Sequence, residues 1–105
     1  MSQVTVVATM KARPGQEEIA HRELLNLVEK TRPEAGCINY DLHRGIEDTS
    51  VFLFYENWES MAALEAHWAT PHLVHLKSVG GDLFVAPSDV KLFTMASSPA
   101  KLPVK

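Results

Sequence analysis

The chain is predicted to be one α+β domain, a four-stranded antiparallel sheet with its helices on one face. Three observations carry that prediction. Four stretches have strand character, two longer ones carry apolar residues at helical spacing, and their order is strand, helix, strand, strand, helix, strand. With 105 residues, 46% of them hydrophobic and 22% charged, the chain can build one core but not two.

In VTVVATMKA, Val4, Val6, Ala8, Met10 and Ala12 fall on one side of a strand that Pro14-Gly15 ends. Ala20, Leu24, Leu27, Val28 and Thr31 then form the i, i+4, i+7, i+8, i+11 stripe of an amphipathic helix. Pro33 bounds it, because the residue before proline disfavours helical geometry. Cys37 to Arg44 and Val51 to Trp58 read as an antiparallel hairpin with its tip at Glu47-Asp48. A two-residue loop there makes facing numbers sum to 95. Asn39, Asp41 and His43 then share a face with Phe54, Glu56 and Trp58, and Ile38, Tyr40, Leu42, Leu53 and Tyr55 occupy the other. A longer loop would shift that sum. Ser60 is suited to cap a helix with Met61, Leu64 and Trp68 on one stripe. Thr70-Pro71 restarts a short helix ending around Gly80-Gly81, and a last strand runs near Asp89 to Met95. Residues 1–96 are expected to form the domain and 97–105, SSPAKLPVK, a flexible polar tail. This order is the split β-α-β arrangement of the ferredoxin-like fold. Two helices cover one face only, yet the hairpin is apolar on both. A second copy of the chain is therefore expected on the uncovered face, giving a homodimer through the sheet.

Charge and motifs exclude several functions. The net charge is −3, and Lys and Arg are spread without the basic stripe that follows a phosphate backbone, so no nucleic-acid partner is expected. No G-x-G-x-x-G, Walker loop, C-x-x-C or H-E-x-x-H occurs. No apolar run approaches the roughly 20 residues of a membrane helix, and the N-terminus lacks a signal-peptide pattern. The lone Cys37 fits a reducing compartment, and the expectation is a cytoplasmic protein without a membrane partner.

The run EAGCINYDLHRGIEDTSVFLFYENWESMAALEAHWATPHL, Glu34 to Leu73, resembles the antibiotic biosynthesis monooxygenase (ABM) domain family. Its recurrent parts are the E-x-G-C-x-x-Y-D-L start, the aromatic strand ending in E-x-W-E-S, and the A-L-x-x-H-x-x-x-P-H segment. The resemblance implies a dimeric α+β barrel with a pocket between sheet and helices. It also implies cofactor-free oxidation of a quinol or polyphenol by O2, with no metal, flavin or haem. An electron-rich phenol that loses its proton reduces oxygen directly, so the protein needs an apolar slot, a proton acceptor and hydrogen bonds for the anion. Trp58 and His43 match the phenol-oxidising relatives. Phe54 stands where those relatives place an asparagine and Leu64 where they place a tyrosine; the hairpin register above makes Asn39 the substitute amide.

The candidate catalytic residues are therefore His67, His43 and Asn39, with Trp58, Phe54, Leu64, His72 and Trp68 forming the substrate pocket. His67 lies beside the apolar stripe of its helix, as a half-buried histidine bonded to a backbone carbonyl or as the pocket's proton acceptor. His72 follows Pro71 and serves either the pocket or the helix start, and His75 is expected at the solvent side. A metal site is not expected, because Pro71 separates His72 and His75 from His67 and no carboxylate or cysteine completes a set. Three other functions compete: an isomerase of a small carbonyl compound, a module that binds a small aromatic molecule, and haem degradation. The last ranks low, because relatives with that chemistry use a first-strand asparagine that VTVVATMKA lacks.

Overall fold

The computed structural model describes residues 3–100. Strand β1 (Val4–Lys11) is followed by α1 (Glu17–Thr31), β2 (Cys37–Arg44), β3 (Val51–Trp58), α2 (Met61–Trp68), α3 (Pro71–Leu83) and β4 (Asp89–Phe93). The four strands form one antiparallel sheet in the order β2-β3-β1-β4, the ferredoxin-like topology. Of the predicted tail, residues 97–100 carry no regular structure and 101–105 lie outside the described residues.

The period-two and helical patterns converge on one core. Val6, Ala8, Met10 and Ala12 bury against Ala20, Leu24, Leu27 and Val28 of α1, and Phe52, Phe54, Trp58 and Leu64 complete the layer. Full burial of each large side chain contributes about 1.5–3 kcal/mol, which holds the helices to this face. Ser60 caps α2 as its sequence suggests, its hydroxyl accepting from the Ala63 amide at 3.1 Å. Thr70 stands at the N-cap of α3 without a side-chain cap bond; its hydroxyl donates back to the His67 carbonyl at 2.7 Å. Pro71 then starts α3, which continues through Gly80 and Gly81 to Leu83 rather than stopping at the glycines.

The hairpin register differs from the expectation. The connection runs from Gly45 to Ser50, closed by the Gly45 amide on the Val51 carbonyl at 2.8 Å. The Asp48 carboxylate accepts from both the amide and the hydroxyl of Ser50, and the hydroxyl bond is the main reason its acid strength is held at a pKa of about 2. With this longer loop, facing residues pair as Tyr40 with Glu56, Leu42 with Phe54 and His43 with Leu53. A shift of one residue turns every side chain over. Tyr40 and Leu42 therefore lie on the helix side with Phe54 and Glu56. Asn39, Asp41 and His43 lie on the open face with Leu53, Tyr55 and Asn57. A bulge between Cys37 and Asn39 restores Cys37 opposite Trp58 and leaves Ile38 half exposed.

The open face is mixed in character. Near one end Asn57, 5% exposed, donates to Asn39, which donates to Asp41; its own oxygen accepts from Gln3 and Thr5. Elsewhere Val7, Leu53, Tyr55 and Phe93 share the face, with Tyr55 and Phe93 left 42% and 50% exposed. Among the described residues no helix is long and apolar enough to cross a membrane.

Candidate active site

Between the sheet and α2–α3 lies a cavity of about 850 Å³. That is within the usual range of about 300–1,000 Å³ for small-molecule sites. Val6, Ala8, Met10 and Phe54 form its sheet wall, and Trp68, Leu73 and Leu76 its helix wall. Val90 and Leu92 of β4 point the same way as Ala8 and Val6 but remain 45% and 43% exposed, so the cavity opens along that edge. Three polar side chains reach its lining from the core: Tyr40, Glu56 and His67.

His67 is held from behind. Its Nδ1 lies 3.0 and 3.2 Å from the two oxygens of Glu34, and its ring stacks on Trp58 with centroids 4.7 Å apart. Tyr40 meets the same imidazole edge-on at 5.3 Å. An ionised Glu34 only accepts hydrogen bonds, so it places the proton on Nδ1 and leaves Nε2 with its lone pair. Among the described residues no protein group bonds to that Nε2. Burial lowers the His67 pKa, partly offset by the Glu34 carboxylate, and so favours the neutral imidazole a base requires.

Backbone geometry explains how Glu34 reaches α2. The turn after α1 passes through Gly36 at φ +83°, where a Cβ would stand 2.5 Å from the Ala63 Cβ. Only glycine permits both that angle and that approach. The Gly36 carbonyl accepts from the Glu59 amide at 2.8 Å, pinning the turn to the start of α2. His72 Nε2, from the first turn of α3, contacts the same Glu34 oxygen as His67. The break at Thr70-Pro71 thus brings the two imidazoles together, with centroids 6.1 Å apart. The expectation that Pro71 separates them, and that no carboxylate joins them, is not met.

Glu56 is the second polar group of the cavity and only 4% exposed. Burial raises its pKa to about 7, although its Oε1 accepts from the Trp58 indole at 2.9 Å. A carboxyl that titrates near neutral pH serves as proton donor or acceptor.

Of the residues singled out from sequence, His67, Phe54 and Trp68 line the cavity. Trp58 and Leu64 are wholly buried; Trp58 backs His67, while Leu64 belongs to the core. His72 is half-buried on Glu34, and His75 is exposed and bonded to Glu23 at 3.0 Å. His43 and Asn39 are placed differently from the expectation: both are on the open face, away from the cavity, because the loop is longer than two residues. Asn39 is therefore no substitute amide beside Phe54. Glu34, Glu56 and Tyr40 were missed. All three stand in the motifs that carried the resemblance, E-x-G-C-x-x-Y and E-x-W; the expected register turned Tyr40 away, whereas Glu56 already shared a face with Phe54.

Residues 3–77 match the family model "Antibiotic biosynthesis monooxygenase". A relative from Escherichia coli K12 described as "Probable quinol monooxygenase YgiN" is 34% identical, over 76% of this chain and 88% of that protein. An uncharacterized Synechocystis protein, sll1783, is 28% identical over 90% of this chain, which spans 65% of that relative's length. The structure of Rv0793 from Mycobacterium tuberculosis superposes with a TM-score of 0.88 at 26% identity, over 94% of this chain and all of that one. With a family match over most of its length and the same fold, the chain belongs to the antibiotic biosynthesis monooxygenase (ABM) family.

Proposed function

We propose that the protein is a cofactor-independent monooxygenase that oxidises a quinol or related polyphenol with O2. One observation carries this reading: an apolar cavity is lined by a buried histidine whose Nδ1 is held by a carboxylate and whose Nε2 has no hydrogen-bond partner among the described residues. The substrate ring lies against Phe54 and Trp68, and a phenolic hydroxyl gives its proton to His67 Nε2. The phenolate passes one electron to O2, giving a semiquinone and superoxide, which couple at a ring carbon as a peroxide anion that takes back the proton held by His67. His67 Nε2 then takes that carbon's hydrogen as a proton while the O–O bond breaks, the outer oxygen takes a proton from Glu56 and leaves as water, and His67 returns its proton to Glu56. One quinol and one O2 thus give one hydroxyquinone and one water. No redox group of the protein enters the balance.

The same acid–base pair, Glu56 and His67 in one apolar cavity, also suits an isomerase that moves a proton along a small carbonyl compound. Oxygen consumption separates the two. Metal-stripped protein supplied with naphthoquinols and polyphenols should take up O2 faster than the autoxidation blank and yield a hydroxylated quinone. Uptake no faster than the blank across the panel, with a carbonyl substrate rearranged instead, would replace oxidation by isomerisation.

The working form is proposed to be a homodimer through the open sheet face. Val7, Leu53, Tyr55 and Phe93 are the support for this, since a solvated face should carry fewer large apolar groups.

A further inference from the structure

Glu34, His67 and His72 come from three different segments: the turn after α1, the last turn of α2 and the first turn of α3. One ligand atom from each lies within 4.8 Å of the other two, and Glu34 Oε2 contacts both His67 Nδ1 and His72 Nε2. We propose that these three atoms bind one divalent transition-metal ion of the Zn2+ class, and that its binding turns off the base described above. The second part rests on the reading of His67 as the proton acceptor; the first does not.

Three features support the site. Tetrahedral Zn2+ with bonds of about 2.0–2.1 Å needs ligand atoms about 3.4 Å apart. The His67 Nδ1–Glu34 Oε2 separation is 3.0 Å and the His72 Nε2–Glu34 Oε2 separation 2.5 Å, so the His67 side needs to open by a few tenths of an ångström and the His72 side by about 0.9 Å, a change of side-chain torsions alone. The donor set, two imidazole nitrogens and one carboxylate oxygen, suits Zn2+, Co2+ or Cu2+ and is poor for Ca2+ or Mg2+. Charge agrees as well. Glu34 is 15% exposed, and no Lys or Arg among the described residues pairs with it. A dication supplies the positive charge that no such side chain brings to this carboxylate.

The switch follows from the two nitrogens of one ring. With Glu34 as partner, Nδ1 carries the proton and Nε2 accepts from the cavity. A metal on Nδ1 displaces that proton, so the neutral ring carries its hydrogen on Nε2. The nitrogen facing the substrate then donates and cannot act as a base.

The test is a Co2+ titration of the metal-stripped full chain, followed by the visible ligand-field bands and by displacement with Zn2+. One equivalent per chain is expected. Glu34→Gln and His72→Gln, shown folded by circular dichroism, should each weaken binding by about 100-fold or more, since even outer-shell changes cost about 10–100-fold. His75→Gln and His43→Gln, both at exposed positions, should leave affinity unchanged. Absence of a one-equivalent site, or affinity that follows the exposed histidines and ignores Glu34 and His72, overturns the proposal. Long-range 1H–15N spectra read the His67 tautomer without any turnover: Nδ1–H in the metal-free protein and Nε2–H with Zn2+ are expected. An unchanged tautomer on binding refutes the switch. Failure of O2 uptake in the metal-free protein would instead sink the monooxygenase reading and leave the binding result standing.

Discussion

Replacing Glu56 by Gln tests the cavity's most unusual electrostatic feature. Glu56 sits on β3 opposite Tyr40, is 4% exposed and has its pKa pushed from 4.5 to about 7, chiefly by burial. Between about pH 4.5 and 7 the folded chain keeps a proton that the unfolded chain has released. The folded state therefore binds more protons, and stability must fall as pH rises through that window. At about 1.4 kcal/mol for each tenfold change in acidity, the loss is about 3 kcal/mol. For a domain whose total stability is about 5–15 kcal/mol this is a large fraction. Glutamine keeps an oxygen for the Trp58 indole and has nothing to ionise. Urea unfolding of both proteins at one concentration, from pH 5 to 8, reads the difference directly. His67, with its lowered pKa, contributes an opposite slope below its unfolded value, but it does so in both proteins and cancels. The variant should gain on the wild type by about 3 kcal/mol between pH 5 and 8, or about 1–3 M in midpoint. Parallel curves would mean that Glu56 is ionised and solvated throughout. Its role as proton donor would fall with that result.

Three further outcomes are expected. His67→Gln should lower turnover of an accepted quinol by about 100- to 10,000-fold while leaving sedimentation and far-UV dichroism unchanged; retained turnover would assign the base elsewhere. Gly36→Ala should cost about 1–3 kcal/mol in chemical denaturation, because φ +83° and the Ala63 Cβ oppose any side chain. A loss below about 0.5 kcal/mol would show that the turn and α2 separate freely. Tyr55→Glu, on the open face, should convert a sedimenting dimer to monomer; a variant that remains dimeric would place the interface elsewhere.

The helix stripes show why some features could be read locally. Leu24, Leu27 and Val28 all bury on the face their spacing assigns, because helical periodicity is a property of neighbouring residues. Ser60 is likewise a cap by local chemistry. The β2–β3 hairpin is the contrary case. Its strands end where the residue pattern places them, yet pairing depends on how many residues the loop absorbs, and Asp48 with Ser50 stabilises a longer loop than two. That one difference exchanges Asn39 and His43 for Tyr40 and Leu42 on the face that Phe54 and Glu56 share.

Sequence alone determined the element order, the core stripes and the ABM kinship, since each rests on contacts within a few residues or on a motif read in line. It also singled out His67. Only the tertiary structure decided what His67 faces. Glu34 is 33 residues from His67 and 38 from His72, and no periodicity links positions that far apart. They meet because Gly36 lets the turn lie against Ala63 while Thr70-Pro71 folds α3 back beside α2. The acidity of Glu56 is equally non-local. The alternation of β3 sets Glu56 on the face of Phe54, but only the packing above that face strips its carboxyl of water and changes its chemistry.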